Sequence, residues 1–189
     1  MSTPHYDCII VGTGPAGASA AYYLAKGGYS ILMLDKETLP RYKPCGGGVS
    51  PIVQQWFDFD FSPAISLKIS VNRYTWKKQD PFEVSLNTQE PIWMVRRDVF
   101  DRFLVQQGQQ QGAQLKDSTL VTGIEQQSEQ ILVKTSRGNY KGRYLIAADG
   151  GKGPLATWLG FKNRKRMLAG ALEAEFPIVS ESNGTTDSF

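Results

Sequence analysis

Residues 7–36, DCIIVGTGPAGASAAYYLAKGGYSILMLDK, constrain the fold of this chain more than any other stretch. Cys8–Val11 is a short apolar run that stops at glycine, as a buried parallel strand does. PAGASAAYYLAK is alanine-rich and helical, with Pro15 suited to its first turn and Gly27-Gly28 to its end. YSILMLDK is a second buried strand. Together they make one βαβ unit. Gly12-x-Gly14-x-x-Gly17 falls between the first strand and the helix. A GxGxxG triplet on its own says little, but in this place each glycine has a task. Gly12 allows the tight turn, Gly14 lets a pyrophosphate approach the backbone, and Gly17 lets helix and strand pack closely. Ala18, Ala20 and Ala21 keep that helix slim. The helix N-terminus carries partial positive charge towards a phosphate. Asp35 closes the second strand about 20 residues further on, where a carboxylate accepts hydrogen bonds from the hydroxyls of an adenosine ribose. The same carboxylate would repel a 2′-phosphate, which disfavours NADP at this site.

Composition narrows the class. A net charge of +3 is too small to point to nucleic acid, so no nucleic-acid partner is expected. The two cysteines, Cys8 and Cys45, do not make a disulfide framework, and MSTPHYDCIIVG does not read as a signal peptide. A reducing, cytoplasmic setting is expected. No apolar run approaches the ~18 residues needed to span a bilayer. KNRKR (162–166) could attract a diphosphate or an anionic membrane surface; a solvated turn is the plainer reading. Peripheral membrane contact is therefore the furthest reach towards lipid. His5 is the only histidine and precedes the first strand, so a histidine triad or a metal site is not expected.

After the βαβ unit the pattern changes. AISLKISV alternates, with Ile65, Leu67, Ile69 and Val71 on one side, and FEVSL sets Phe82, Val84 and Leu86 on one side. Both predict antiparallel strands. RDVFDRFLVQQ predicts an amphipathic helix with Val99, Phe100, Phe103 and Leu104 on its buried face and Asp98 as its cap. TLVTGIEQ and QILVKT predict strands, Ser136–Asn139 a turn, YLIAADGG a strand meeting glycines, and AGALEAEFPIV a strand of a second module. SESNGTTDSF reads as a loose tail. The expected fold is α/β: a Rossmann-like three-layer domain from 1–64 and 96–165, interrupted by antiparallel strands of a partial substrate domain from 65–95 and 166–189. The fingerprint alone does not choose FAD over NAD. The intruding antiparallel strands and the late return of an AADGG strand favour FAD, because a nicotinamide dehydrogenase would continue with more βαβ units.

The loop PRYKPCGGGVS (40–50) holds Arg41, Lys43, Cys45 and the run Gly46-Gly47-Gly48. Three glycines lose much freedom on ordering, which fits a place where something must approach the backbone. A flexible loop with an incidental cysteine is the plain alternative. Beside Arg41 and Lys43, the Cys45 thiol could have a lowered pKa.

The fingerprint, PRYKPCGGGVS, RRDVFDRFL and YLIAADGGKGP occur in the order found in FAD-dependent reductases of the geranylgeranyl reductase family. These belong to the larger group whose fold is similar to p-hydroxybenzoate hydroxylase. The resemblance runs to about Ile178, and Pro40, Lys43, Cys45, Gly46, Gly47 and Gly48 are its discriminating part. It implies FAD as cofactor and reduction of C=C bonds in a prenyl chain, such as the geranylgeranyl group of chlorophyll or of isoprenoid lipids. NADPH or another reductant would be a transient electron donor. It also places Cys45 near the flavin ring and the alkene, as a proton donor or a shaper of the site. The cofactor-binding positions it implies are Gly12, Gly14, Pro15, Ala16, Gly17, Asp35, Lys36, Arg41, Cys45, Gly46, Gly47, Arg97, Val121, Asp149 and Gly150. Arg97 would contact the FAD phosphates, or else pair with Asp101 on a solvated face. Asp149 would hold the ribityl or phosphate region, or else be a strand-end turn residue. Val121 would present backbone to adenine, or else be core strand. Trp76 and Trp93 would line an isoprenoid pocket, or else be ordinary core.

This chain departs from the pattern in three ways. Asp35 stands where many relatives carry Glu. The segment 149–156 lacks the polar side chain and closing Arg of the wider group. The second Gly-Asp motif of the family would lie beyond residue 189, so a C-terminal half is expected to be missing. An FAD monooxygenase and a non-catalytic FAD-binding fragment are the rival readings.

Overall fold

A computed structural model describes residues 3–86, 90–161 and 169–174. Along the chain come β1 (His5–Val11), α1 (Pro15–Lys26), β2 (Ile31–Leu34) and β3 (Gly48–Val49), then two 3-10 turns, Pro51–Trp56 and Ser62–Ala64. There follow β4 (Leu67–Ile69), β5 (Val71–Trp76), β6 (Gln79–Ser85), β7 (Ile92–Met94), α2 (Arg97–Gln110), β8 (Gln114–Lys116), β9 (Val121–Gln126), β10 (Ile131–Thr135), β11 (Gly138–Ala147) and α3 (Leu155–Trp158).

The main sheet has the order β8-β2-β1-β11-β10-β9. β1 pairs in parallel with β2 and β11, and β2 with β8, whereas β9, β10 and β11 form an antiparallel meander. β11 is long enough to serve both parts: Gly138–Gly142 pairs with β10, and Lys141–Ala147 pairs with β1. Alternation along the central strands separates two cores, because successive side chains point to opposite faces. Cys8, Ile10, Ile31 and Met33 pack under α1 and α2. Ile9, Val11, Leu32 and Leu34 pack on the other face against Val121, Val133 and Leu155. The fold is thus α/β, Rossmann-like and three-layered.

Strands from 65–95 stay outside this sheet. β3, β7 and β4 form one small antiparallel sheet, and β5 and β6 form a hairpin. The small sheet is tied to the helices through Phe61. Its ring lies 4.8 Å from Phe59, 5.5 Å from Phe57 and Trp93, and 5.9 Å from Phe100 and Phe103.

The structure revises several expectations. Ile65–Val71 is not one strand: β4 and β5 belong to different sheets, and Leu67 and Val71 are exposed. Phe82 and Val84 are also exposed, and Leu86 lies past the end of β6. α2 begins at Arg97 with Arg96 as its cap residue; Asp98 sits inside the first turn and accepts from the Arg96 side chain at 2.7 Å. The buried face of α2 is Phe100, Asp101, Leu104, Val105 and Gly108, so Asp101 takes the place expected of the exposed Val99. Trp93 is core, whereas Trp76 is 73% exposed. β8 has no counterpart among the expected strands. Residues 169–174, the first part of the expected strand AGALEAEFPIV, form no helix or strand; its remaining residues and KNRKR lie outside the described residues. No helix among the described residues is long and apolar enough to cross a membrane.

Because Phe61 joins α2 to the small sheet, Phe61→Ala should lower the unfolding free energy by about 3–5 kcal/mol. Urea denaturation followed by tryptophan fluorescence would measure it, and an unchanged midpoint would mean the two parts are not coupled through this ring.

Candidate functional site

The three fingerprint glycines are required for three different reasons. Gly12 has φ +99°, and a Cβ there would overlap the Ala148 carbonyl. A Cβ on Gly17 would overlap the carbonyl of Gly12, so the first turn of α1 lies directly on the end of β1. Gly14 is different: a Cβ would stand clear of the backbone, 3.7 Å from Nη2 of Arg41. The space in front of Gly14 is therefore free of protein backbone. α1 starts at Pro15 with no side-chain cap and no acidic residue in its first turn. Its first N–H groups have no intrahelical partners and meet the positive end of the helix dipole. This is a cradle for an anion.

Asp35 holds the cradle in place. Its Oδ2 accepts from the Thr13 N–H at 3.0 Å and from the Thr13 hydroxyl, and its Oδ1 accepts from the Glu37 N–H at 3.0 Å. The carboxylate thus fastens the middle of the G-x-G turn to the end of β2. Thr13 is fully buried and was not singled out by sequence. Lys36 is exposed and lies 3.9 Å from Glu37. The segment before β9 runs beside this carboxylate, with Asp35 N donating to Lys116 O and Thr119 N to Asp35 O. That brings the start of β9, including Val121, near Asp35, although the Val121 side chain is core.

The loop 40–50 runs across the N-terminus of α1. Arg41 faces two carboxylates. Its guanidinium is 15% exposed, lies 3.2 Å from Oδ2 of Asp101 through Nη2, and approaches Asp35 Oδ2 at 3.8 Å through Nε. Arg97 makes the i,i+4 pair with Asp101 and is bidentate, at 2.8 and 3.0 Å. That pair is turned inward rather than solvated: the Arg97 side chain is 18% exposed and that of Asp101 only 1%. Cys45 itself is exposed. The Gly47 N–H and the Arg97 side chain hydrogen-bond its sulfur and hold the thiol below its ordinary pKa, against the opposing charge of Glu173. The cation that acts most on Cys45 is thus Arg97, from α2.

The three loop glycines also differ. Gly47 is buried at φ +75°, its carbonyl accepts from the Val95 N–H at 2.9 Å, and it has no room for a Cβ, which would overlap Val95 O. Gly46 and Gly48 have nothing within 4 Å of a Cβ position, so they leave open space at the loop surface. Gly48 then enters β3 and pairs with Met94. At the other side of the cradle, Asp149 Oδ2 accepts from the Leu155 N–H at 2.9 Å and so steadies the start of α3. Gly150, at φ +80°, supplies the turn after β11.

Pro15, Ala16, Cys45, Gly47 and Arg97 line one cleft of about 930 Å³. Its far wall is apolar, built from Val49, Val53, Trp56, Phe57 and Phe61. Sequence reasoning missed these wall residues; they lie in the stretch between loop and β4, where no periodic pattern marks them. Gly12, Gly14, Gly17, Asp35, Lys36, Arg41, Gly46, Val121, Asp149 and Gly150 do not line this cleft. Gly14, Arg41 and Arg97 suit the two phosphates of a dinucleotide, and the open glycines beside Cys45 suit a flat ring.

A glycine turn feeding an uncapped helix N-terminus, in a three-layer α/β domain, defines a dinucleotide-binding protein. The chain belongs to the FAD binding domain family, which matches residues 5–184. It is 33% identical over 184 residues to an uncharacterized protein of Methanosarcina barkeri, covering 97% of this chain and 47% of that protein. It is 28% identical to digeranylgeranylglycerophospholipid reductase 1 of Methanothermobacter thermautotrophicus, covering 92% and 46%. A flavin-dependent halogenase of Armillaria mellea is 27% identical, over 86% and 35%. Among solved structures, a geranylgeranyl bacteriochlorophyll reductase-like protein of Thermoplasma acidophilum superposes with a TM-score of 0.72 at 26% identity, covering 85% of this chain and 43% of that one. The chain spans about half the length of the curated reductase it matches.

The two kinds of loop glycine separate experimentally. Gly47→Ala should destabilise the fold by about 1–3 kcal/mol, from its positive φ and the overlap with Val95. Gly46→Ala should leave thermal stability within about 0.5 kcal/mol of wild type. Melting curves of the two variants would check this, and equal losses would contradict the assignment.

Proposed function

We propose that the protein is an FAD-dependent oxidoreductase that reduces C=C bonds of a prenyl chain, with this chain contributing its FAD-binding half and one face of its substrate site. The observation that carries this reading is the continuity of the site. Pro15 and Ala16 in the first turn of α1, the exposed thiol of Cys45 and an apolar wall line a single cleft. The resemblance to a digeranylgeranylglycerophospholipid reductase supports the same class of substrate.

In this reading the α1 N-terminus, Arg41 and Arg97 bind the pyrophosphate. Asp35 receives the adenosine ribose, and the segment at Val121 borders the adenine. Ribose hydroxyls would share the Asp35 carboxylate with Thr13 and Glu37, which already use one lone pair or more on each oxygen. Asp149 and Gly150 keep the end of β11 against the glycine turn. Bound and reduced, FAD supplies a hydride, and its two electrons come from NADPH or another reductant. Cys45 supplies the proton. Its S–H bond breaks as a C–H bond forms on the alkene carbon that does not take the hydride, and solvent returns the proton. The Gly47 N–H and Arg97 stabilise the thiolate left behind, and their effect on the thiol is in that direction. Val49, Val53, Phe57 and Phe61 exclude water from an apolar chain lying beside them. Contact with a membrane surface, where such chains reside, is part of the proposal.

Gly14→Val should abolish FAD binding, because the two methyl groups would fill the space in front of the turn. Fluorescence titration with FAD checks it, and unchanged affinity would contradict the cradle. Cys45→Ala, in a protein that unites this chain with the C-terminal half of a relative, should keep FAD bound and slow alkene reduction by about 10²-fold. Mass spectrometry of the prenyl product reads the gain of two hydrogens per double bond. Unchanged single-turnover reduction removes Cys45 from the chemistry. The flavin-dependent halogenase among the relatives favours an oxidative rival, and product that gains oxygen or halogen instead of hydrogen would establish it.

A further inference from the structure

Asp101 is the most buried carboxylate of the site and faces two guanidinium groups from different elements. Arg97 grips both of its oxygens from the preceding turn of α2, and Arg41 reaches Oδ2 from the loop. Each arginine looks two ways. Arg41 also stands beside Gly14, at the phosphate cradle, and Arg97 also hydrogen-bonds Cys45. Arginine forks are long and flexible, and such a side chain places its charge to within a fraction of an ångström only when something fixes it. Here one carboxylate contacts both, and Arg41 has only a longer second contact, to Asp35 at 3.8 Å.

The geometry points to Asp101 as the positioning residue of this site, the shared anchor that sets Arg41 at the phosphate cradle and Arg97 at Cys45. It touches neither ligand nor thiol in this role; it acts through the two arginines. The inference rests on the FAD reading for its Arg41 end and is independent of that reading for its Cys45 end.

Positioning and plain charge make opposite forecasts. Asp101→Asn removes a negative charge next to two cations. If Asp101 acted only through its charge, the site would become more positive, the Cys45 thiol more acidic and FAD more tightly held. If Asp101 positions the arginines, both would drift, the thiol would lose its partner and the phosphates would lose a donor. The groups that act most on the Cys45 thiol are the Gly47 N–H and Arg97, which lower its pKa, with Glu173 opposing them. Cys8 does not interfere with a thiol assay, since it is buried and its pKa is pushed up to about 11.

The test is the pH profile of alkylation of Cys45 by iodoacetamide, with FAD titration of the same proteins. Arg97→Gln sets the full size of the effect at Cys45. Asp101→Asn should move the alkylation midpoint upward towards that of Arg97→Gln, the double variant should move it no further, and FAD affinity should fall about tenfold or more. A midpoint that falls or stays, or FAD held as tightly as in wild type, overturns the proposal. Should Asp101→Asn fail to fold by circular dichroism, Asp101→Glu is read by the same criteria, since it keeps the charge and shifts its position. Should the wild-type chain not bind FAD, the FAD reading fails, and the alkylation profile alone decides the role of Asp101.

Discussion

The first turn of α1 rests on the end of β1 with no side chain between them, and the rest of the site depends on that contact. Gly17 lies so close to the Gly12 carbonyl that a methyl group would not fit. Gly12 is as close to Ala148 at the end of β11. Helix and both central strands therefore meet at one point. Close approach leaves the first N–H groups of α1 directed outward with nothing between them and a ligand. Any side chain at these positions would tilt the helix and take the cradle with it. Asp35 reinforces the arrangement from β2 by holding Thr13 through backbone and hydroxyl.

Around that point the charges are paired in an uneven way. Two arginines face one buried carboxylate, with a second carboxylate 3.8 Å from Arg41. A buried charge without a partner is strongly destabilising, and Asp101 avoids this through a bidentate fork and a third contact. The arginines are less buried, and Arg97 lines the cleft. An anion arriving there meets guanidinium groups already in place, which limits the ordering needed on binding.

The sequence made the βαβ unit, its glycines and Asp35 visible because strand, turn and helix are continuous and each residue acts on its neighbours. Other features depend on residues that meet only in the fold. β8 is three residues, Gln114–Lys116, with no apolar alternation to mark it. The buried face of α2 was misjudged because hydrophobic periodicity favours Val99 over Asp101, and it takes no account of a carboxylate drawn inward by two arginines. The role of Arg97 at Cys45 is hidden for a similar reason: Arg41 and Lys43 are near in the chain, whereas Arg97 comes near only in the fold. Gly47 could not be told from Gly46 and Gly48, since the distinction lies in the carbonyl of Val95.

The central claim is that FAD lies from the glycine turn across Arg41 and Arg97 to the loop at Cys45. Amide hydrogen–deuterium exchange with and without FAD tests it most directly. The account predicts slowed exchange at residues 12–18 and 41–48, with β5 and β6 unchanged. Protection confined to β5 and β6, or no change in either the glycine turn or the loop, would contradict it.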